Sequence, residues 1–177
     1  MISTDLTFFD TDCLSSFLWV KEETIILNIF TGRIVIPKVV LDELSSVEHL
    51  YNKLQNYIQQ GRVAVEDISI NDEAYKYYEK FTLNPDKGYR IIGNGEAAVL
   101  ALAKTKNGIA ASNNLSDIKK YIEDLNIKHV TTADILHEAL KRGLINEEKG
   151  NQIWQKMIMK KRKMPTDTFS NYLKTHQ

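Results

Sequence analysis

The sequence predicts an α/β fold with a mainly parallel sheet, and three observations carry the prediction. Short apolar runs alternate with helix-patterned stretches along nearly the whole chain, an order that implies right-handed βαβ crossovers. Glycine and proline stand at the joins, at Gly32, Pro37, Gly61 and Gly143. The chain has 177 residues, 43% hydrophobic and 26% charged, which is ordinary composition for one globular core.

Taken in order, Thr7 to Phe9 is a brief β-prone run ending at Asp10. Leu14, Phe17 and Leu18 then recur at helical spacing, and 25–30 is a second apolar helical stretch. After Gly32, 33–36 reads as a buried strand. Pro37 suits the first turn of the following helix, where a missing N–H costs nothing; that helix holds Val39, Val40, Glu43 and Leu44. A polar helix over 47–60 stops at Gly61, and 63–65 is another short strand. A Tyr-rich helix covers 72–81, and 82–95 is a loop with Pro85, Gly88, Gly93 and Gly95. Glu96 opens an alanine-rich helix to 104. A strand at 108–111, a helix at 115–125, a strand at 128–131 and a helix at 133–142 closed by Gly143 complete the body.

Composition excludes several classes. The chain is neither disordered, collagenous nor a disulfide scaffold. Its single cysteine, Cys13, has no partner for a disulfide or a thiolate zinc site and reads as a buried small hydrophobe. No apolar run reaches the roughly 20 residues that span a bilayer. The first residues carry Asp5, Asp10 and Asp12 without a basic n-region, unlike a signal peptide; the expected location is the cytoplasm, with no membrane partner. The glycines near Gly93 lack the Lys-Ser/Thr of a P-loop and the spacing of a dinucleotide fingerprint. His49, His129, His137 and His176 show no ligand spacing and read as surface or core residues. Tyr75, Tyr77 and Tyr78 suit base stacking, but also the half-buried face of a helix.

Formal net charge is zero, yet it is unevenly spread. From Lys141 onward nine basic residues face three acidic ones, a net +6, which leaves −6 on the first 140. The chain divides on this basis into a body, 1–143, and a basic helical extension, 144–177. In the extension Lys160, Lys161, Arg162 and Lys163 are candidate phosphate contacts. Ile153, Trp154, Met157 and Ile158 recur at helical spacing in the same segment. It therefore equally suits docking on the body with its charges solvated, or receiving a partner protein or a second protomer.

Ligands of open α/β sheets bind beyond the carboxyl ends of the strands. Four acids follow strands or begin the next helices: Asp10, Glu43, Glu96 and Asp117. Singly each has an ordinary explanation, as an N-cap, a solvated helix face or a dipole-favoured first-turn residue. Gathered at one sheet edge they repel, so at least one pKa rises unless a divalent cation neutralises them. Oxygen donors without a His or Cys cluster suit Mg²⁺ or Mn²⁺, and such a site suits phosphodiester hydrolysis.

The segments Phe8-Phe9-Asp10-Thr11-Asp12-Cys13-Leu14, Pro37-Lys38-Val39-Val40-Leu41-Asp42-Glu43-Leu44, Gly95-Glu96-Ala97-Ala98 with the alanine-rich run after it, and Ile109-Ala110-Ala111-Ser112-Asn113-Asn114-Leu115-Ser116-Asp117 together resemble the PIN domain family. The resemblance spans Phe8 to about Gly143. It implies a three-layer α/β/α sandwich around a five-stranded, mainly parallel sheet. It also implies metal-dependent endoribonuclease activity on RNA, as in the VapC-type toxins of bacterial toxin–antitoxin pairs, and hence a cognate antitoxin or a homodimer as partners. Carried across, Asp10, Glu43 and Glu96 are the first three acids and metal ligands. The family usually places Ser or Thr then Asp, often Asp-Asp, after the late strand; this chain has Ser112-Asn113-Asn114. Asp117 lies four residues beyond Asn113, on one helical face, and is the expected fourth acid, with Ser112 and Asn113 accessory. Two other readings stand beside this one. One is a PIN-like body whose Asn-substituted site binds RNA or protein without cutting. The other is an Asp-x-Asp phosphatase built on Asp10 and Asp12.

Overall fold

The computed structural model describes residues 5–176. Five strands form one parallel sheet: β1 (Thr7–Phe9), β2 (Ile34–Pro37), β3 (Ala64–Glu66), β4 (Ile109–Ala111) and β5 (Lys128–Val130), in the order β3-β2-β1-β4-β5. The three inner strands are buried along their whole length, while β3 and β5 at the edges are half-exposed. This explains why the inner strands read as unbroken apolar runs. Helices cover both faces.

The helices are α1 (Thr11–Val20), α2 (Thr24–Ile29), α3 (Lys38–Leu44), α4 (Glu48–Gln59), α5 (Glu73–Thr82), α6 (Asn94–Thr105), α7 (Leu115–Asp124), α8 (Thr132–Lys141), α9 (Glu147–Met159) and α10 (Phe169–Thr175). α6 packs across β1, β2 and β4. Its Ala97, Ala98, Ala101 and Ala103 are all buried, and their small side chains let the helix lie close to the strands. Most boundaries shift by about one residue, and two of the differences bear on the site. Pro37 is the last residue of β2 and caps α3 from outside (φ −56°, ψ 142°) rather than sitting in its first turn. α6 starts at Asn94 and takes in Gly95, because the Glu96 side chain turns back to accept from the Gly93 N–H at 3.3 Å. That contact supplies the helix start that the loop-like composition hides.

The extension docks. α9 packs on α1 and α8, and α10 packs on α9 and α8. Ile153, Trp154 and Met157 are buried as their spacing suggests, whereas Ile158 faces outward. Trp154 also donates from Nε1 to the Thr166 carbonyl at 2.8 Å, tying α9 to the turn that leads into α10. No helix among the described residues is long and apolar enough to cross a membrane.

Candidate active site

The strand order reverses direction between β1 and β4, since β2 and β3 lie on one side of β1 and β4 and β5 on the other. Chain connections therefore diverge at the carboxyl ends of these two strands and leave a crevice. Register fixes what faces it. Phe9 pairs with Ala111, so Asp10 and Ser112 emerge side by side, and the Asp10 N–H donates to the Ala111 carbonyl at 3.0 Å.

Asp10 is the N-cap of α1: its Oδ1 accepts from the Cys13 N–H at 2.6 Å. The ordinary capping explanation thus holds, but the carboxyl is only 3% exposed. Burial pushes its pKa up to about 7, with the neighbouring charges of Asp12 and Glu96 adding to the rise and hydrogen bonds from Ser112 and Cys13 opposing it. A raised carboxyl is what a cluster of acids demands, although here burial outweighs repulsion as the cause.

A cleft of about 220 Å³ is lined by Asp10, Thr11, Asp12, Glu43, Gly93, Gly95 and Glu96. It brings three of the four expected acids together. Glu43 comes from α3 and accepts from the Thr11 hydroxyl. A Cβ on Gly95 would stand 3.0 and 3.1 Å from the Glu43 carboxylate oxygens and 3.3 Å from Val40. The cleft at Glu43 therefore depends on the absence of a side chain at 95. Glu96 reaches the cleft from the first turn of α6.

Asp117 stands outside this lining and joins it through Asn114. The Asn114 amide donates to Glu96 Oε1 at 2.6 Å and to Asp117 Oδ2 at 2.8 Å, and Arg90 lies 3.8 Å from the other Asp117 oxygen. Ser112 is buried against Asp10. Asn113 donates to Asp12 Oδ2 at 3.1 Å and accepts from the Thr132 N–H at 2.9 Å, pinning the end of β4 to the start of α8. Arg162 of the extension donates to Asp12 Oδ1 at 3.2 Å and to the Ser15 hydroxyl at 3.3 Å. Lys160 lies 5.4 Å over the Trp19 ring. Lys161 and Lys163 are exposed.

Thr11, Asp12 and Asn114 belong to this site beyond the four expected acids, Asp12 being read in the sequence only as half of an Asp-x-Asp pair. The Asp10-Thr11-Asp12 spacing was the available signal for Asp12. Asn114 is marked in sequence only as a departure from the family's Asp-Asp; its contacts lie 18 residues back and three residues on. Cys13 is fully buried, which raises its thiol pKa. His129 is a structural residue: burial lowers its pKa, and its Nε2 donates to the Ser112 carbonyl at 2.8 Å.

The donors fit a hard cation in kind, being carboxylate oxygens around a cleft kept open by Gly95. Among the described residues, no three His, Cys, Asp or Glu side chains converge closely enough to hold a metal ion. Thr11 holds Glu43 and Asn114 holds Glu96, so drawing both acids onto one ion requires those hydrogen bonds to yield.

A family model for the PIN domain matches residues 6–177. Among solved structures, DNA-bound VapBC from Salmonella typhimurium is similar at a TM-score of 0.55 and 17% identity, over 72% of this chain and 98% of that one. Comparison with curated proteins gives no match.

Proposed function

This chain belongs to the PIN domain family, and from that premise we infer that it is a divalent-metal-dependent endoribonuclease. The observation that carries the inference is the single cleft shared by Asp10, Glu43 and Glu96, three acids from separate segments, at the switch point of the sheet. Asp10, Glu43 and Glu96, with Asp117 through Asn114, would hold one or two Mg²⁺ or Mn²⁺ ions. A bound cation of this class supplies Lewis-acid charge neutralisation at a phosphate.

The chain's own residues do the rest. Ser112 and the Cys13 N–H fix the orientation of the Asp10 carboxyl, which ionises once an opposite charge stands beside it. Asn114 holds Glu96 and Asp117 apart and aligned. Water attacks the scissile phosphorus in line as the opposite P–O bond to the ribose oxygen breaks; the water gives up a proton, the departing oxygen takes one from solvent, and no side chain is required as nucleophile. Arg162, hydrogen-bonded to Asp12 on the cleft lining, and Lys163 next to it in sequence are suited to flanking phosphates. We place the enzyme in the cytoplasm, with residues 1–143 as the nuclease body and 144–177 as its extension. A cognate antitoxin fits as a partner, since one similar solved structure is of DNA-bound VapBC; a homodimer is the other expected assembly.

One observation favours a second reading. Asn114 bridges Glu96 and Asp117 at a position where the family commonly has a carboxylate, which suits a protein that binds RNA or protein without cutting. The discriminating experiment is cleavage of a labelled, structured RNA pool with Mg²⁺ or Mn²⁺, beside Asp10→Asn. Metal-dependent cutting that the variant loses establishes the nuclease. No cutting by a folded wild-type protein favours the binding module.

A further inference from the structure

A second cavity, of about 350 Å³, opens beside the acid cleft where the extension closes over the start of α8. Asn113, Thr132, Met164, Pro165, Tyr172 and His176 are among its lining residues. This volume is at the lower end of small-molecule sites, and too small for a helix or strand to enter whole. Three features set its chemistry. Tyr172 and His176 stack at 4.0 Å with 21° between their planes, leaving an aromatic platform whose outer ring, His176, is exposed. Lys163 stands on the lining, one residue from Arg162, so two cations lie along the path between cavity and cleft. Asn113 lines the cavity and also hydrogen-bonds Asp12, which lines the cleft. One hydrogen bond therefore joins the two linings.

We propose that this cavity is a nucleobase subsite: it takes one unpaired base of the RNA strand whose phosphodiester lies in the acid cleft. The proposal rests on the nuclease reading for its substrate class but on separate residues for its geometry. A strand running from cleft to cavity meets acids and cation first, then Arg162 and Lys163 against its phosphates, then a slot lined by Met164, Pro165 and the Tyr172–His176 pair, with the Asp134 carboxylate held by the Tyr172 hydroxyl. This order matches the phosphate–base alternation of single-stranded RNA. The base would have to be unpaired to enter, so the enzyme is directed to loops and single strands.

The test uses the full chain with Ca²⁺ replacing Mg²⁺ and a short fluorescent single-stranded RNA of mixed sequence, carrying 4-thiouridine for photo-crosslinking. The expected adducts map to the peptides holding Met164 or Tyr172 and His176. Met164→Trp, which fills the slot, is expected to weaken binding at least about fivefold, the equivalent of one lost base stack. Should Met164→Trp fail to fold by circular dichroism, Lys163→Ala takes its place, and is expected to weaken binding and reduce the salt slope by about one ion. Cleavage with unchanged affinity in these variants, and adducts only elsewhere, overturns the subsite while leaving the nuclease standing. Adducts in the cavity without cleavage under Mg²⁺ or Mn²⁺ keep the subsite and remove the nuclease. Absence of any RNA binding overturns the subsite and leaves the slot to a protein segment.

Discussion

Gly150→Ala should destabilise the protein even though it improves a helix. Gly150 is buried within α9, and replacing a helical glycine by alanine ordinarily gains about 1 kcal/mol. A Cβ at 150, however, would stand 2.2 Å from Cδ1 and 2.5 Å from Cε1 of Phe169. The Phe169 ring must retreat by more than 1 Å to reach ordinary carbon contact near 3.5–4 Å. It has nowhere to go: Phe169 is fully buried, with the Trp154 ring at 5.6 Å and the Tyr172 ring at 6.5 Å. Overpacking of this kind costs about 1–3 kcal/mol, and so large an overlap belongs at the upper end. After the helical gain, a net loss of about 1–2 kcal/mol is expected. With a urea slope of about 2 kcal/mol/M the midpoint falls by roughly 0.5–1 M. In a Phe169→Ala background the clash is absent, so adding Gly150→Ala there should be neutral or stabilising, a coupling that a double-mutant cycle reads directly. A midpoint for Gly150→Ala at or above wild type in the intact background refutes the argument.

Further expectations concern the acid cleft. In metal-free buffer the Asp10 carboxyl is held at about 7 against an ordinary 3.8; the folded state keeps its proton longer, so Asp10 lowers stability progressively as pH rises from about 4 to about 7 and fully above that. The urea midpoint of Asp10→Asn relative to wild type should therefore climb across that window and then level, and a difference that stays constant with pH contradicts the assignment. Asn114→Asp exchanges two donated hydrogen bonds for a third negative charge beside Glu96 and Asp117. Its melting temperature should fall in EDTA and rise more than that of wild type on adding Mn²⁺; equal melting in EDTA would show that the Asn114 bridge carries no weight. Gly95→Ala presses on the Glu43 carboxylate and should cut cleavage roughly tenfold through misplacement of that acid, with a melting temperature close to wild type. Activity unchanged in Gly95→Ala would separate Glu43 from the reaction.

Much of this architecture is legible in sequence because its determinants are local. Buried inner strands read as apolar runs, and Gly61 and Gly143, both with φ near +70°, mark the ends of helices. The alignment of Asp10, Glu43 and Glu96 follows once each is placed after a strand or at a helix start. What stayed hidden depends on distant partners. Asp12 meets Asn113 across 101 residues and Arg162 across 150, and no spacing rule reports such pairs. α10 has only seven residues with Phe169 and Tyr172 buried, too few to show a period. Ile158 fits the apolar spacing of α9, yet the helix ends one residue later, beyond the surface it packs on. Two of the candidate phosphate contacts, Lys160 and Arg162, also meet Trp19 and Asp12, contacts that no spacing announces.

The central place of β1 bears on how the molecule comes into being. It is made before both of its neighbours, β2 and β4, and β4 follows only after about a hundred more residues. Until then Asp10 has neither the Ala111 carbonyl nor Ser112 beside it, and Asp12 waits longer still for Arg162. The nascent chain thus carries its acids unassembled until β4 has been made and has paired with β1, so any activity they confer waits on that long-range pairing.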